Sequence, residues 1–212
     1  MSKMLFPKMA VSNIRKNKKL YVPYIITAIF TVMMFFMNIS IVKNKNVAAM
    51  RGGQNVVVLL QVALVVSFIF SAVFLFYTNS FLMKRRTKEI GLYNILGMEK
   101  KHISLMMLFE NVIITIISLT AGIVFGIIFS RLMFLVLMKL IKADSVPAFV
   151  ISTNAVVVTI IYFISIFAAI YIYNFVKVQK SKPIELLHSD EIGEKEPKTK
   201  LIMTILGLLC LG

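Results

Sequence analysis

The sequence predicts an all-α integral membrane protein, with four transmembrane helices plus the start of a fifth. Three observations carry this. Apolar residues make up 59% of the 212 residues and charged residues 16%, where soluble domains have about 45–50% and about 25%. The apolar residues come in long runs rather than alternating with polar ones, which argues against a soluble bundle. The Lys and Arg residues, which give a net charge of +15, cluster between the runs. Charge placed this way reads as membrane topology. It forms neither a basic stripe nor an aromatic-rich module, so nucleic acid is not an expected partner.

The elements follow in chain order. Residues 1–19 form a basic cytoplasmic segment with Lys3, Lys8, Arg15, Lys16, Lys18 and Lys19. It resembles a signal peptide only superficially, because the run behind it is too long and no small-x-small cleavage site follows. About 20 apolar helical residues cross a bilayer, and the first such run is 20–42. The second is 56–81, the third 103–129 and the fourth 155–176. A cytoplasmic linker, 177–200, leads to a last run, 201–212. Twelve residues cover about 18 Å, so that run reads as the opening of a truncated fifth span. The only cysteine is Cys210, which excludes an internal disulfide.

The third run is ambiguous, because apolar character continues to Ile141 past Arg131 and Lys139. Either two spans meet at a tight turn near Gly122, or one span is followed by an amphipathic helix on the outer surface. Four spans with the N-terminus inside put 18 of the 24 Lys and Arg residues on the cytoplasmic side, as the positive-inside rule prefers. Tyr21, Tyr24, Tyr77, Tyr171 and Tyr173 then all fall at inner ends, as interfacial aromatics do.

Between the second and third runs lies KRRTKEIGLYNILGMEKKH, residues 84–102. Thr87 is a candidate N-cap, and Glu89 in the first turn suits the helix dipole. Ile90, Tyr93 and Leu96 recur at spacing three, with Leu92 and Ile95 widening the face. Gly97 ends the helix, and Lys100 and Lys101 mark return to the membrane. The pattern predicts a short amphipathic cytoplasmic helix that lies on lipid or docks on protein. Glu110 is the one acid inside a span, a functional candidate by default. Gly122 and Gly126 form a GxxxG packing motif. No phosphate loop, CxxC, HExxH or GxSxG is present. His102 and His188 read as interfacial polar residues, and no metal site is expected.

The stretch 84–103 resembles the signature of FtsX-like ABC permeases, carried by Arg85, Arg86, Glu89, Ile90, Gly91, Leu96 and Gly97. The segment KPIELLHSDEIGEKEPK after the fourth run and the opening LFPKMAVSNIRKNKKLYVPYI are similar to those of the bacitracin-resistance (Bce-type) subfamily. The 13-residue segment 43–55 fits that subfamily, which keeps this loop short and places its large outer domain later. The resemblance implies the N-terminal portion of a non-catalytic permease in the bacterial cell membrane, residues 56–176 forming its three-span unit. Loop 82–102 would hold the coupling helix, and the seven residues named would contact an ABC ATPase dimer. It implies no cofactor in this chain, with ATP bound by the partner subunit. It implies resistance to or sensing of peptides such as bacitracin, with the peptide antibiotic or its lipid target complex, membrane lipid and a sensor histidine kinase as further partners. The competing class is a non-transporting scaffold that relays ATPase motion to cell-wall enzymes or a sensor kinase. An ion-coupled transporter would require more intramembrane charge than Glu110.

Overall fold

A computed structural model describes residues 5–43, 53–140 and 152–180, in five helices. These are α1 (Leu5–Lys16), α2 (Lys18–Val42), α3 (Gly53–Ile95), α4 (Lys100–Leu140) and α5 (Thr153–Lys180). The last four are long and apolar enough to cross a membrane. In hydrocarbon every backbone amide must be satisfied within its own segment, which is what a helix does. The predicted start of a fifth span, 201–212, and most of the linker, 181–200, lie outside the described residues.

Helix α2 is the centre of the bundle. Tyr21, Tyr24, Ala28, Val32, Phe35, Phe36 and Ile39 are all buried in one cluster that also takes Leu75 from α3, Ile114 and Leu119 from α4, and Phe163, Phe167 and Ile170 from α5. Lipid tails are as apolar as leucine, so close packing rather than water exclusion must hold such helices together. Gly122 and Gly126 supply it. A Cβ added at Gly122 would lie 2.6 Å from Val32 Cβ, and one at Gly126 would lie 2.7 Å from Phe36 Cδ1. The pair therefore seats α4 directly on α2. Toward the N-terminal end of α3, Val58, Leu59, Val62, Val65, Val66 and Ile69 are exposed, as lipid-facing side chains are.

Polar contacts fix the remaining helices. Asn79 of α3 and Asn174 of α5 exchange amide hydrogen bonds at 3.0 and 3.1 Å. Asn111 of α4 donates to the Phe167 carbonyl at 3.1 Å. Tyr162 of α5 stacks on Phe35 and Phe68, and its hydroxyl donates to the Phe68 carbonyl. Helix α1 meets α2 at Asn17, whose carbonyl accepts from Leu20 and Tyr21. It packs on α4 through Phe6 and Ala10, with the Phe6 ring stacked on His102 at 5.6 Å.

Two expectations change. The segment 87–96 is helical but not a separate helix: α3 runs unbroken from Gly53 to Ile95. At about 1.5 Å per residue its 43 residues span about 65 Å, twice the hydrocarbon thickness. Thr87 is mid-helix, its hydroxyl donating to the Met83 carbonyl at 2.8 Å rather than capping an end. As the four-span reading requires, no turn forms near Gly122, and the helix α4 is continuous through it. Tyr21 and Tyr24 are buried inside the bundle and Tyr171 is half-buried, whereas Tyr77 and Tyr173 are exposed.

Candidate functional site

The turn between α3 and α4 is set by one residue. Gly97 has φ +90°, a left-handed conformation that costs other residues about 1–2 kcal/mol. Its amide donates to the Asn94 carbonyl at 3.1 Å, and the Met98 amide reaches the Tyr93 carbonyl at 3.0 Å. This is the Schellman pairing, in which the two residues past the helix satisfy its last carbonyls. Tyr93 and Met98 pack on the same apolar cluster, as that motif favours. Nothing lies within 4 Å of a Cβ added at Gly97, so conformation, not space, selects glycine here.

Helix α3 presents two faces before this turn. Ile90 is buried with Met83, Ile103, Met107 and Val178, and Gly91 is also buried. These hold the helix end against α4 and α5. On the opposite face Leu92, Ile95 and Leu96 are exposed, Leu96 at 72%. Lys100 ties the far side of the turn to α5, its ammonium donating to the Gln179 carbonyl at 2.9 Å.

Behind the turn lies a buried polar clamp centred on Glu110. Arg86 binds the carboxylate with both terminal nitrogens, Nη1 to Oε2 at 2.6 Å and Nη2 to Oε1 at 3.1 Å. Asn13 Nδ2 donates to Oε1 at 2.6 Å and the Tyr21 hydroxyl to Oε2 at 2.8 Å. The guanidinium also lies over the Tyr21 ring, 5.1 Å from its centroid. Arg86 is 2% and Glu110 3% exposed. Glu89, half-buried, extends the clamp: it accepts from Asn17 Nδ2 at 3.0 Å and lies 3.8 Å from Arg86 Nε. Four helices thus meet on one carboxylate. A cavity of about 30 Å³ adjoins it, lined by Tyr24, Asn79 and Asn174 as well as the ion pair. That is space on the scale of one or two waters.

The sequence-derived site residues therefore divide. Leu96 and Gly97 stand at the exposed turn, and Arg85 is exposed, its guanidinium over the Phe81 ring at 5.4 Å. Glu89 faces the clamp from its rim. Arg86, Ile90 and Gly91 are inside the bundle, so they support the turn rather than present themselves to a partner. Arg86 is drawn in because a carboxylate buried without a cation would be far costlier than a bidentate pair. Glu110, expected to find a basic neighbour or water, finds Arg86. Asn13 and Asn17 were not singled out and Tyr21 was read only as an interfacial aromatic, because partners 72 to 97 residues away leave no local signal. Among the described residues no cluster of His, Cys, Asp or Glu could hold a metal ion.

Residues 61–183 match the family model described as FtsX-like permease C-terminal, more than half of the chain. The chain belongs to the FtsX-like permease family. It is similar to the uncharacterized ABC transporter permease YvcS of Bacillus subtilis, 32% identical over 96% of this chain and 32% of that protein. It is also similar to the bacitracin export permease BceB of Halalkalibacterium halodurans, 28% identical over 94% of this chain and 31% of that protein. With BceB of Bacillus subtilis it shares 28% identity over 95% of this chain and 31% of that protein. The chain spans about a third of the length of these curated relatives. The FtsX-like match contains the α3–α4 turn, Arg86, Glu89 and Glu110. Asn13, Asn17 and Tyr21 precede it, so in this FtsX-like protein the clamp joins the matched segment to the helices before it.

Proposed function

We propose that the chain is part of the permease subunit of a bacterial ABC transporter that gives resistance to, or senses, antimicrobial peptides such as bacitracin. A separate ATPase, binding the ATP, would dock on the loop 84–102, with the N-terminus in the cytoplasm. The likeness to bacitracin export permeases supports the substrate class. The observation that carries the docking assignment is the exposed Leu92, Ile95 and Leu96 face immediately before the fixed turn at Gly97. An exposed apolar face rimmed by Lys84, Arg85 and Lys88 suits a protein partner.

The mechanism is mechanical. When ATP draws two ATPase subunits together, the turn is pushed. Helix α3 has no break between the turn and its outer end, so force enters the membrane along a single rod. The clamp makes α1, α2 and α4 move with it, because Arg86 and Glu89 of α3 are bonded to Asn13, Asn17, Tyr21 and Glu110. Sliding α3 past α4 would unpair a buried charge, which costs several kcal/mol.

The test is growth inhibition by bacitracin in a strain lacking the gene, restored with the intact gene or with Leu96→Asp. Resistance restored by the intact gene alone is expected, with ATPase co-purification lost in the variant. Equal rescue by Leu96→Asp removes the docking assignment. No change in sensitivity on deletion, across bacitracin and other lipid-targeting peptides, removes the substrate class.

A further inference from the structure

A second cavity lies between α2 and α3 on the same side of the bundle as the clamp. It holds about 320 Å³ and opens beside Lys19, with Pro23, Tyr24 and Thr27 on one wall and Tyr77 and Phe81 on the other. We propose that this groove binds an anionic glycerophospholipid, with the acyl chain against Tyr77 and Phe81 and the phosphate at Lys19 and Arg85.

Four observations point to an amphiphile of negative charge. The walls are mainly apolar and belong to the runs that cross the membrane, so a lipid chain reaches them without leaving the bilayer. Lys19 is exposed at the rim, and the Arg85 guanidinium lies over Phe81, itself a wall residue. Neither cation is ion-paired among the described residues. Tyr24, a wall residue, carries a buried hydroxyl without a hydrogen-bond partner. Pro23 has no amide hydrogen, so the Lys19 carbonyl lacks its helical donor and can accept from a headgroup hydroxyl such as that of glycerol. A choline headgroup would set its own cation against Lys19 and Arg85, so phosphatidylcholine fits the rim poorly. Which leaflet supplies the lipid rests on the orientation proposed above, but the binding itself does not.

The chain contains no tryptophan, which makes the groove readable by fluorescence. Tyr77→Trp, at an exposed wall position, is reconstituted as the full chain in phosphatidylcholine vesicles. Its quenching is titrated with brominated phosphatidylglycerol and, separately, brominated phosphatidylcholine. One cation beside an anionic headgroup is worth about a fivefold preference, so half-quenching should need at least about fivefold less phosphatidylglycerol. Adding Lys19→Gln and Arg85→Gln should make the two lipids equal. Tyr173→Trp is the control: its ring contacts Phe76 at 6.4 Å, which places it at the same depth on another face, and it should show no such preference. Equal quenching of Tyr77→Trp by both lipids overturns the proposal. So does an equal preference at Tyr173→Trp, which would mark a generally basic surface, or a preference that survives the double substitution. Phe81→Trp serves as reporter if Tyr77→Trp does not insert. No ATPase enters the assay, so a failure of docking at Leu96 leaves its result intact.

Discussion

A carboxylate offers about four lone-pair sites, and Glu110 has all four taken by donors from α1, α2 and α3. Its removal is therefore worse than its absence. Glu110→Ala leaves the Arg86 guanidinium buried without its anion, and breaking a buried pair from one side costs about 3–5 kcal/mol. Replacing both partners with apolar residues of similar volume is often neutral. Thermal loss of helical circular dichroism in mild detergent should thus rank Glu110→Ala far below the parent chain. The double variant Arg86→Met with Glu110→Leu should lie between the two, because no charge is stranded but the buried Asn13 and Tyr21 donors lose their acceptor. Its bacitracin resistance should nevertheless fall, because α3 would no longer be pinned to α4 by a bond of fixed length. A stable double variant with full resistance would mean that the pair only fills space.

At the scale of the element, the lever role proposed for α3 has a working face set by register. One alanine inserted between Thr87 and Lys88 turns Leu92, Ile95 and Leu96 by about 100° and leaves Arg86 and Glu110 in place. Membrane insertion should survive, while ATPase co-purification and resistance should both be lost; retention of either argues against a face-specific dock. Gly126→Leu should act differently, by forcing Phe36 away from α4. Overpacking of this kind costs about 1–3 kcal/mol, visible as a lowered unfolding temperature with docking retained. The end of α3 was legible in the sequence because Gly97 acts through its own backbone. The start of the coupling segment was not. Thr87 and Glu89 have the chemistry of a helix start, yet α3 is already a helix there, and breaking it near the membrane would strand amide groups that Thr87 and its neighbours now satisfy. The burial of Arg86 was not legible for a related reason. A basic residue in a charged run looks solvated until the helix phase turns it toward a carboxylate 24 positions away.

At the scale of the whole molecule, the four spans were legible from composition, because length and apolarity are sums over many residues and survive local errors. The arrangement of the spans was not, since it depends on pairs such as Asn79 with Asn174 and Gly122 with Val32. Orientation is the property on which the docking and peptide assignments both depend, and the charge distribution predicts it. On the four-span reading of the sequence, 18 of the 24 cationic residues fall on the same side as the α3–α4 turn, so that turn should be cytoplasmic, where ATP and the ATPase are. Cysteine labelling reads this directly. In a Cys210→Ser background, Asn46→Cys tests the segment 43–55 and Leu96→Cys, already exposed, tests the turn. A membrane-impermeant maleimide added to intact cells should label position 46 and spare position 96, and permeabilised cells should label both. Labelling at 96 in intact cells would put the apolar face outside, away from any ATPase, and the lever assignment would fall with it, whereas the clamp and the α2–α4 packing would stand.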